Sequence, residues 1–118
     1  MNPVFPSGDG LEVSPADTAA ALADGTATVV DVREPYEREA GHIAGTRHIE
    51  LADLAGEAAT LDRERPVIFY CRVGSRSAMA TEAFRASGFT AYNLTGGISE
   101  WVRRGLPIEP PDGNVAEH

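Results

Sequence analysis

The sequence predicts a single α/β domain in which helices cover both faces of a mostly parallel β-sheet. Short apolar runs alternate with helical segments along the chain, and the clearest run, Val67–Tyr70, has no polar residue at alternate positions. A strand that is buried on both faces has this composition, and strands separated by helices pair in parallel. The length of 118 residues fits one domain.

Four strands are predicted from the residues themselves. Val67–Tyr70 and residues 28–32 are rich in β-branched or aromatic side chains, which favour extended backbone. Ala91–Leu94 is a third strand, and residues 47–49 form a weaker one. Ligands of such sheets bind beyond the carboxyl ends of the strands, and Cys71 follows the strongest strand at that end.

Five helices are predicted between these strands. Ser14 is a preferred N-cap residue, Pro15 suits the first turn, and the alanine-rich helix that follows is expected to end at Gly25. The other predicted helices are Pro35–Ala40 before Gly41, a weaker one over residues 51–59, residues 77–87 before Gly88, and residues 97–104 before Gly105.

The two ends of the chain have the composition of loose segments. Residues 1–10 are rich in proline, glycine and asparagine, and residues 109–114 have the composition of a tail without core residues. We therefore expect an N-terminal leader over 1–10, one domain over 11–108 and a flexible C-terminal tail over 109–118.

Composition excludes several classes of function. The net charge of −8 disfavours nucleic-acid binding, which needs a clustered basic face. The chain contains no lysine, so it has no Schiff-base lysine, no pyridoxal-phosphate anchor and no Walker-type phosphate loop. It has no apolar stretch of about 18 residues and no secretory signal, which predicts a soluble, cytoplasmic protein that does not bind membranes.

No metal site and no cofactor are predicted. Cys71 is the single cysteine, which excludes an internal disulfide and any CxxC motif. The histidines His42, His48 and His118 have no cysteine or second histidine at metal-ligand spacing.

Residues 71–77 combine a nucleophile with features that attract anions. Gly74 allows a tight bend after Cys71, and the N–H groups of the loop and of a helix starting near Ser77 create positive potential. Arg72 and Arg76 add full charges. Such surroundings lower a cysteine pKa from ~8.5 to about 3.5–7.5, which favours the thiolate.

A lone cysteine at a strand end is more often an inert core residue, but an apolar core does not explain two arginines and a glycine. The predicted substrate-binding residues are Arg72, Val73, Gly74, Ser75, Arg76 and Ser77.

Residues 71–77, Cys-Arg-Val-Gly-Ser-Arg-Ser, resemble the active-site loop of the rhodanese family of sulfurtransferases. Other family motifs match in the same order, so the resemblance covers roughly residues 11–108. They are residues 30–34, residues 41–46, and residues 93–98 followed by Trp101 and residues 105–107. The resemblance implies a single rhodanese-like domain with a mostly parallel five-stranded sheet.

The chain departs from the family pattern at four positions away from the cysteine loop. Ala44 stands where proline is frequent, Thr46 where alanine is frequent, and Glu50 where proline is frequent. Arg38 occupies a place commonly held by an aromatic residue. These departures affect local packing more than the chemistry of the loop.

The resemblance also implies a mechanism. Cys71 attacks the outer sulfur of an anionic donor such as thiosulfate and becomes a persulfide, which a thiol or a cyanide-like acceptor then discharges. A partner protein is a further candidate acceptor. Arg72 and Arg76 are expected to hold the donor by charge-assisted hydrogen bonds.

Three residues of the matching motifs are expected to support the loop. Asp31 either braces the cysteine loop by hydrogen bonds or pairs with Arg33, since buried carboxylates are normally paired. His42 is expected to fix the loop by a hydrogen bond rather than to act as a general base, because a thiolate already stabilised by dipoles needs no base. Trp101 is expected to lie in the core.

Two other functions compete with sulfur transfer. Cysteine phosphatases and arsenate reductases have an arginine after the cysteine and five further residues, but here Ser77 holds that place and Arg76 comes one residue early. A non-catalytic binding module is the second alternative. Inactive members of the family usually lack the cysteine, which this chain retains.

Overall fold

The computed structural model describes residues 10–118, so nearly all of the predicted leader lies outside the described residues. The described chain contains one five-stranded sheet in which every neighbouring pair of strands is parallel, with the order β1-β5-β4-β2-β3. The strands are β1 (Glu12–Val13), β2 (Thr28–Asp31), β3 (Arg47–His48), β4 (Val67–Tyr70) and β5 (Ala91–Leu94). The predicted α/β fold and its parallel sheet are confirmed.

Four α-helices connect successive strands, and a fifth follows β5. They are α1 (Pro15–Asp24), α2 (Pro35–Ala40), α3 (Leu54–Glu57), α4 (Ser75–Ala86) and α5 (Gly97–Arg103). The helix predicted over residues 51–59 is broken, because α3 is preceded and followed by short 3₁₀ turns. Leu51 N donates to Val32 O, which ties the start of this segment to the sheet, and Gly56 weakens helix propensity within it.

Helix α1 forms as its sequence predicts. The Oγ of Ser14 accepts a hydrogen bond from Asp17 N at 3.1 Å, and Pro15 occupies the first turn, where no N–H is needed. Gly25 ends the helix with a left-handed φ of 68° and donates its N–H to carbonyls of the last turn.

Alternate residues of β4 face opposite sides of the sheet. Val67, Phe69 and Cys71 belong to an apolar cluster that includes residues of α3 and α4, whereas Ile68 and Tyr70 belong to a cluster that includes residues of α1 and α5. Helices therefore cover both faces, as predicted. The central strand is buried along its whole length, and its carboxyl end delivers Cys71 to the edge of the sheet.

The fifth strand, β1, is not among the strands predicted from the residues. It has only two residues, too few for hydrophobic periodicity to identify it. Its pairing with β5 comes from tertiary hydrogen bonds: Asn93 N donates to Leu11 O at 2.7 Å, and Thr95 N donates to Val13 O at 2.9 Å.

The C-terminal segment, residues 109–118, packs along α2. Backbone hydrogen bonds join Glu109 and His42 in both directions, at 2.7 and 2.9 Å, and Asn114 N donates to Ala40 O at 2.9 Å. Val115 is partly buried against the apolar cluster of α1 and α5. Proline and glycine content does not reveal these contacts with α2, because they depend on the fold. That it is flexible stays a prediction.

In the described part of the chain, no helix is both long enough and apolar enough to cross a bilayer.

Candidate active site

The backbone at the end of β4 is held by the start of α5. Ile98 N donates to Cys71 O, and Ser99 N donates to Arg72 O, each at 3.0 Å. Gly97 makes this close approach possible: it has a left-handed φ of 61°, and an added Cβ would lie 2.5 Å from both carbonyl oxygens. The exit of the central strand is therefore fixed by neighbouring backbone.

Helix α4 begins at Ser75, two residues before the predicted start at Ser77. Gly74 adopts a φ of 110°, which turns the chain sharply enough for the helix to begin directly after it. Arg76 and Ser77 thus belong to the first helical turn, whose N–H groups have no partners within the helix. Residues predicted to form a loop are largely the amino end of a helix aimed at Cys71.

Hydrogen-bond donors converge on the sulfur of Cys71. Gly74 N lies 3.1 Å from Sγ, and the Oγ of Ser77 lies 3.4 Å from it. Burial raises the pKa of the Cys71 thiol, but hydrogen bonds from the Ser77 hydroxyl and from the N–H groups of Ser77, Gly74 and Arg76 outweigh it and hold the pKa below its ordinary value. Cys71 is buried, as an inert core cysteine would be, yet its surroundings favour the thiolate.

Asn93 on β5 braces this arrangement, and sequence reasoning did not assign it a role. Its Oδ1 lies 2.6 Å from Ser77 Oγ and shares the single hydroxyl proton of Ser77 with Cys71 Sγ. Its Nδ2 donates to Gly74 O at 3.2 Å and to Glu12 Oε2 at 3.1 Å. A polar side chain within a short strand of otherwise apolar or aromatic residues is the signal that could have found it. Asn93 links the turn and the helix start to the neighbouring strand.

Arg76 makes a bidentate ion pair with Glu37, which lies on α2. Its Nη1 and Nη2 donate to the two carboxylate oxygens at 2.8 and 2.9 Å, and Glu37 is fully buried. Burial raises the pKa of the Glu37 carboxyl, but the hydrogen bonds from Arg76 and from Glu34 N outweigh it and hold the pKa below its usual range. Sequence reasoning missed Glu37, since nothing in a short charged helix shows which carboxylate is buried.

Asp31 pairs with Arg33, one of the two alternatives predicted for it. Two hydrogen bonds of 2.9 and 2.8 Å join the side chains, and both residues are fully buried. Desolvation raises the pKa of the Asp31 carboxyl, but Arg33 and Arg38 outweigh it and hold the pKa below its usual value. Arg33 also donates to Gly41 O at 2.8 Å. None of the hydrogen bonds described for the Asp31 and Arg33 side chains reaches residues 71–77.

The His42 side chain also points away from the cysteine. Its Nδ1 is 3.2 Å from Arg38 O, and its Nε2 is 3.8 Å from a carboxylate oxygen of Glu109. Arg38 in turn donates to Thr46 O at 2.7 Å and to Thr46 Oγ1 at 3.2 Å. Two departures from the family pattern, Arg38 and Thr46, are therefore bonded to each other. The hydrogen bonds described for the side chains of the three predicted supporting residues join segments around α2, and none of them reaches the cysteine loop.

The remaining predicted residues form the outer surface of the site. Val73 is 53% exposed, Ser75 is exposed, and Arg72 is partly exposed. The buried Nε of Arg72 has no hydrogen-bond partner among the described residues. Arg72 is thus the loop arginine without a carboxylate partner in residues 10–118, whereas the fork of Arg76 is occupied.

Ligand atoms of Glu34, Glu37 and His118 lie within 4.8 Å of one another, as in a metal site. However, both oxygens of Glu37 accept from Arg76, and Glu34 Oε2 is 3.1 Å from His118 Nε2. A metal ion would have to displace Arg76 from the buried Glu37 carboxylate, so the group fits an ion-pair network better than a metal centre.

Comparisons with known proteins agree with this geometry. The Rhodanese-like domain family matches residues 14–104. Thiosulfate sulfurtransferase GlpE of Pseudomonas fluorescens is 36% identical over 101 residues, which cover 85% of this chain and 92% of that protein. An uncharacterized Bacillus subtilis protein, YqhL, is 42% identical over 76 residues, or 64% of this chain; the match spans only 60% of YqhL.

A solved structure shows the same architecture. The rhodanese-related protein from Thermoplasma volcanium superimposes with a TM-score of 0.77 at 32% sequence identity, covering 83% of this chain and 96% of that one. The family match, the parallel sheet and the cysteine at the end of its central strand lead to one conclusion: the chain belongs to the rhodanese-like domain family, whose relatives include sulfurtransferases.

Proposed function

We propose that the protein is a sulfurtransferase that moves a sulfane sulfur atom from a donor such as thiosulfate to a thiol or cyanide-like acceptor through a persulfide on Cys71. The observation that carries this proposal is the convergence of Gly74 N–H, the first N–H groups of α4 and the Ser77 hydroxyl on one sulfur atom. These donors favour an anionic sulfur and need no separate base to remove its proton. We expect the reaction to take place in the cytoplasm.

The proposed reaction has two displacement steps. The Cys71 thiolate attacks the outer sulfur of thiosulfate, the S–S bond of thiosulfate breaks, and sulfite leaves with the bonding electron pair. An acceptor thiolate then attacks the outer sulfur of the persulfide. The bond to Sγ breaks, its electron pair returns to Cys71, and the acceptor carries away the sulfur.

We assign different roles to the two arginines of the loop. Arg72 is partly exposed and has no carboxylate partner in residues 10–118, so it is the candidate for holding an anionic donor. Arg76 is neutralised by Glu37 and acts by fixing the first turn of α4 around the sulfur. Because Cys71 is fully buried, the exposed turn at Val73 must move for the donor to reach it.

The same ion pair argues against a phosphatase. A phosphatase arginine must leave its fork free for the oxygens of the phosphoryl group. Both fork nitrogens of Arg76 that face α2 already bond Glu37, and Ser77 stands at the phosphatase position of the arginine. We therefore favour sulfur transfer over phosphate-ester hydrolysis.

An intact-mass measurement tests the proposal directly. After exposure to thiosulfate, the protein is expected to gain the mass of one sulfur atom, and cyanide or a thiol is expected to remove it. Since Cys71 is the single cysteine, the Cys71→Ser variant provides a control in which no sulfur is taken up.

Two results would contradict the proposal. Equal sulfur uptake by the wild type and Cys71→Ser would remove Cys71 from the reaction, and no uptake by the folded wild type would favour a non-catalytic binding module. Assaying an aryl phosphate in parallel tests the phosphatase alternative, because turnover that requires Cys71 without any sulfur uptake would replace sulfur transfer as the function.

A further inference from the structure

A cavity of about 400 Å³ opens beside Arg76, on the side of the cysteine loop that faces α2. Its lining combines apolar side chains such as Leu51 with the ionisable residues Glu34, Glu50 and His118. The cavity therefore combines an apolar surface with ionisable side chains next to Arg76.

The charges of this wall do not cancel. Arg76 is neutralised by Glu37, with which it forms two hydrogen bonds. Glu34 is 3.1 Å from the His118 imidazole, and its side chain is 52% exposed. The Glu50 carboxylate makes no hydrogen bond or ion pair with any residue in the range 10–118 that the structure describes. The mouth of the cavity thus carries uncompensated negative charge.

The other side of the loop differs. The sheet order places β5 and β2 on opposite sides of β4, and the Arg72 backbone is bonded to α5, which follows β5. The Arg72 backbone is therefore attached on the β5 side, whereas Glu34 and Glu50 lie on the β2 side.

We propose that Glu50, together with Glu34, determines acceptor specificity by selecting a thiol whose remaining groups are neutral or positively charged. This inference rests on the proposed sulfur transfer and specifies its second step. The acceptor thiolate attacks the outer persulfide sulfur, the bond to Cys71 Sγ breaks and the electron pair stays on Sγ. The two carboxylates repel a negatively charged substituent on the acceptor thiol and attract a positively charged one.

Three thiols with the same two-carbon frame provide the test: cysteamine, 2-mercaptoethanol and 2-mercaptoethanesulfonate. Persulfide-loaded protein is freed of donor, and its discharge rate is measured with each thiol at low ionic strength. A unit charge at about 6 Å in water changes a rate by about threefold. In Glu50→Gln we expect discharge by the sulfonate to rise about threefold, discharge by cysteamine to fall about threefold, and 2-mercaptoethanol to react as in the wild type.

Glu64→Gln is the matched control. Glu64 is exposed and precedes β4, at the opposite end of the strand from Cys71. Glu64→Gln therefore removes one negative charge, as Glu50→Gln does, but at the other end of the central strand. Comparing rate ratios between variants cancels the intrinsic reactivity of each thiol. In 1 M salt, where the screening length is about 3 Å, the effect of Glu50→Gln should disappear.

A second measurement separates this inference from the proposed function. Alkylation of the unloaded Cys71 by iodoacetate and by iodoacetamide needs no sulfur transfer, and both reagents require the same opening of the loop. The ratio of the iodoacetate rate to the iodoacetamide rate is expected to rise in Glu50→Gln, because a repelling charge is removed, and to stay unchanged in Glu64→Gln. Unchanged thiol and alkylation ratios would overturn the inference while leaving sulfur uptake intact. Failure of sulfur uptake alone would refute the proposed function and leave the alkylation test decisive.

Discussion

Two arginine–carboxylate pairs lie at the carboxyl end of the sheet. Both are bidentate, but they differ in how far apart their residues are in the sequence. Asp31 and Arg33 are two residues apart and brace the end of β2, with both side chains fully buried. Glu37 and Arg76 are 39 residues apart and join α2 to the first turn of α4. The short-range pair stabilises one strand end, whereas the long-range pair connects the scaffold to the residues around Cys71.

The comparison separates stability from chemistry. Among the described residues, the Asp31 and Arg33 side chains make no hydrogen bond to residues 71–77, so we expect loss of this pair to act mainly on stability. The backbone N–H of Arg76 is one of the donors that lower the pKa of Cys71. Loss of the Glu37–Arg76 pair is therefore expected to change the pKa of the thiol.

The largest effect on stability is expected for Asp31→Ala, which leaves the buried Arg33 charge without its carboxylate partner. Removing one partner of a buried ion pair costs about 3–5 kcal/mol, so the free energy of unfolding should fall by about this amount in urea denaturation. The folded fraction should keep the wild-type pH profile of Cys71 alkylation. Asp112→Ala, at an exposed position, is the control that should change little. A loss below about 1 kcal/mol would show that the pair is weaker than its burial implies.

A smaller stability effect with a chemical signature is expected for Glu37→Gln. Hydrogen bonds to charged groups are worth about 1.5–3 kcal/mol, and the amide keeps only part of them. Without the carboxylate, the positive charge of Arg76 acts unopposed on Cys71, so the pKa of the thiol should fall further. The pH dependence of iodoacetamide alkylation measures this shift. A rise in the Cys71 pKa would instead mean that Glu37 acts by holding the helix in place.

The pH dependence of stability tests both pairs together. The pKa values of the Asp31 and Glu37 carboxyls are lowered in the folded protein, mainly because hydrogen bonds from arginine outweigh burial. Each contributes stability that is fully present above its unfolded pKa, about 3.9 for Asp and 4.3 for Glu, and is lost as pH falls through the lower folded value. Stability should therefore fall in acid.

The difference in unfolding free energy between wild type and Glu37→Gln provides the control for this titration. It should be constant near neutral pH and shrink below pH of about 4, where the wild-type carboxyl becomes protonated. A difference that persists unchanged into strong acid would show that charge is not the source of the stabilisation.

The smallest effect is expected for Ser77→Ala, which changes a hydrogen bond without removing a charge. The loss of the hydroxyl leaves Asn93 Oδ1 without this donor and should cost about 1 kcal/mol in chemical denaturation. The pKa of Cys71 should rise, because a hydrogen bond that lowers it is lost, whereas Gly74 N–H remains in place. An unchanged alkylation profile would assign the lowered pKa to the backbone donors alone.

Local chemistry explains why much of this fold could be predicted. The Ser14 cap, Pro15 and Gly25 define α1 through interactions within the helix itself. The apolar run of β4 requires burial on both faces, and a chain of alternating strands and helices provides that burial in few ways. Cys71, Gly74 and the helix start lie within seven residues, so their chemistry could be recognised from spacing.

Contacts between distant residues were beyond the sequence. A start at Ser75 for α4 depends on the backbone angles of Gly74, which Asn93 holds from another strand. The burial of Val115 cannot be read from its own segment, because its apolar partners lie elsewhere in the chain. The sequence shows the charge of Arg76 beside Cys71 but not its partner Glu37, because the two residues are 39 positions apart.

By itself, the sequence determined the α/β class, the central strand and the cysteine with its cradle of N–H groups. Only the tertiary structure decided that Glu37 neutralises Arg76, that Asp31 pairs with Arg33, and that Glu50 faces the cavity without a partner. The physical reason is the range of each interaction. Backbone hydrogen bonds and burial patterns repeat over a few residues, whereas the pairing of charges depends on which distant segments the folded sheet brings within hydrogen-bond distance.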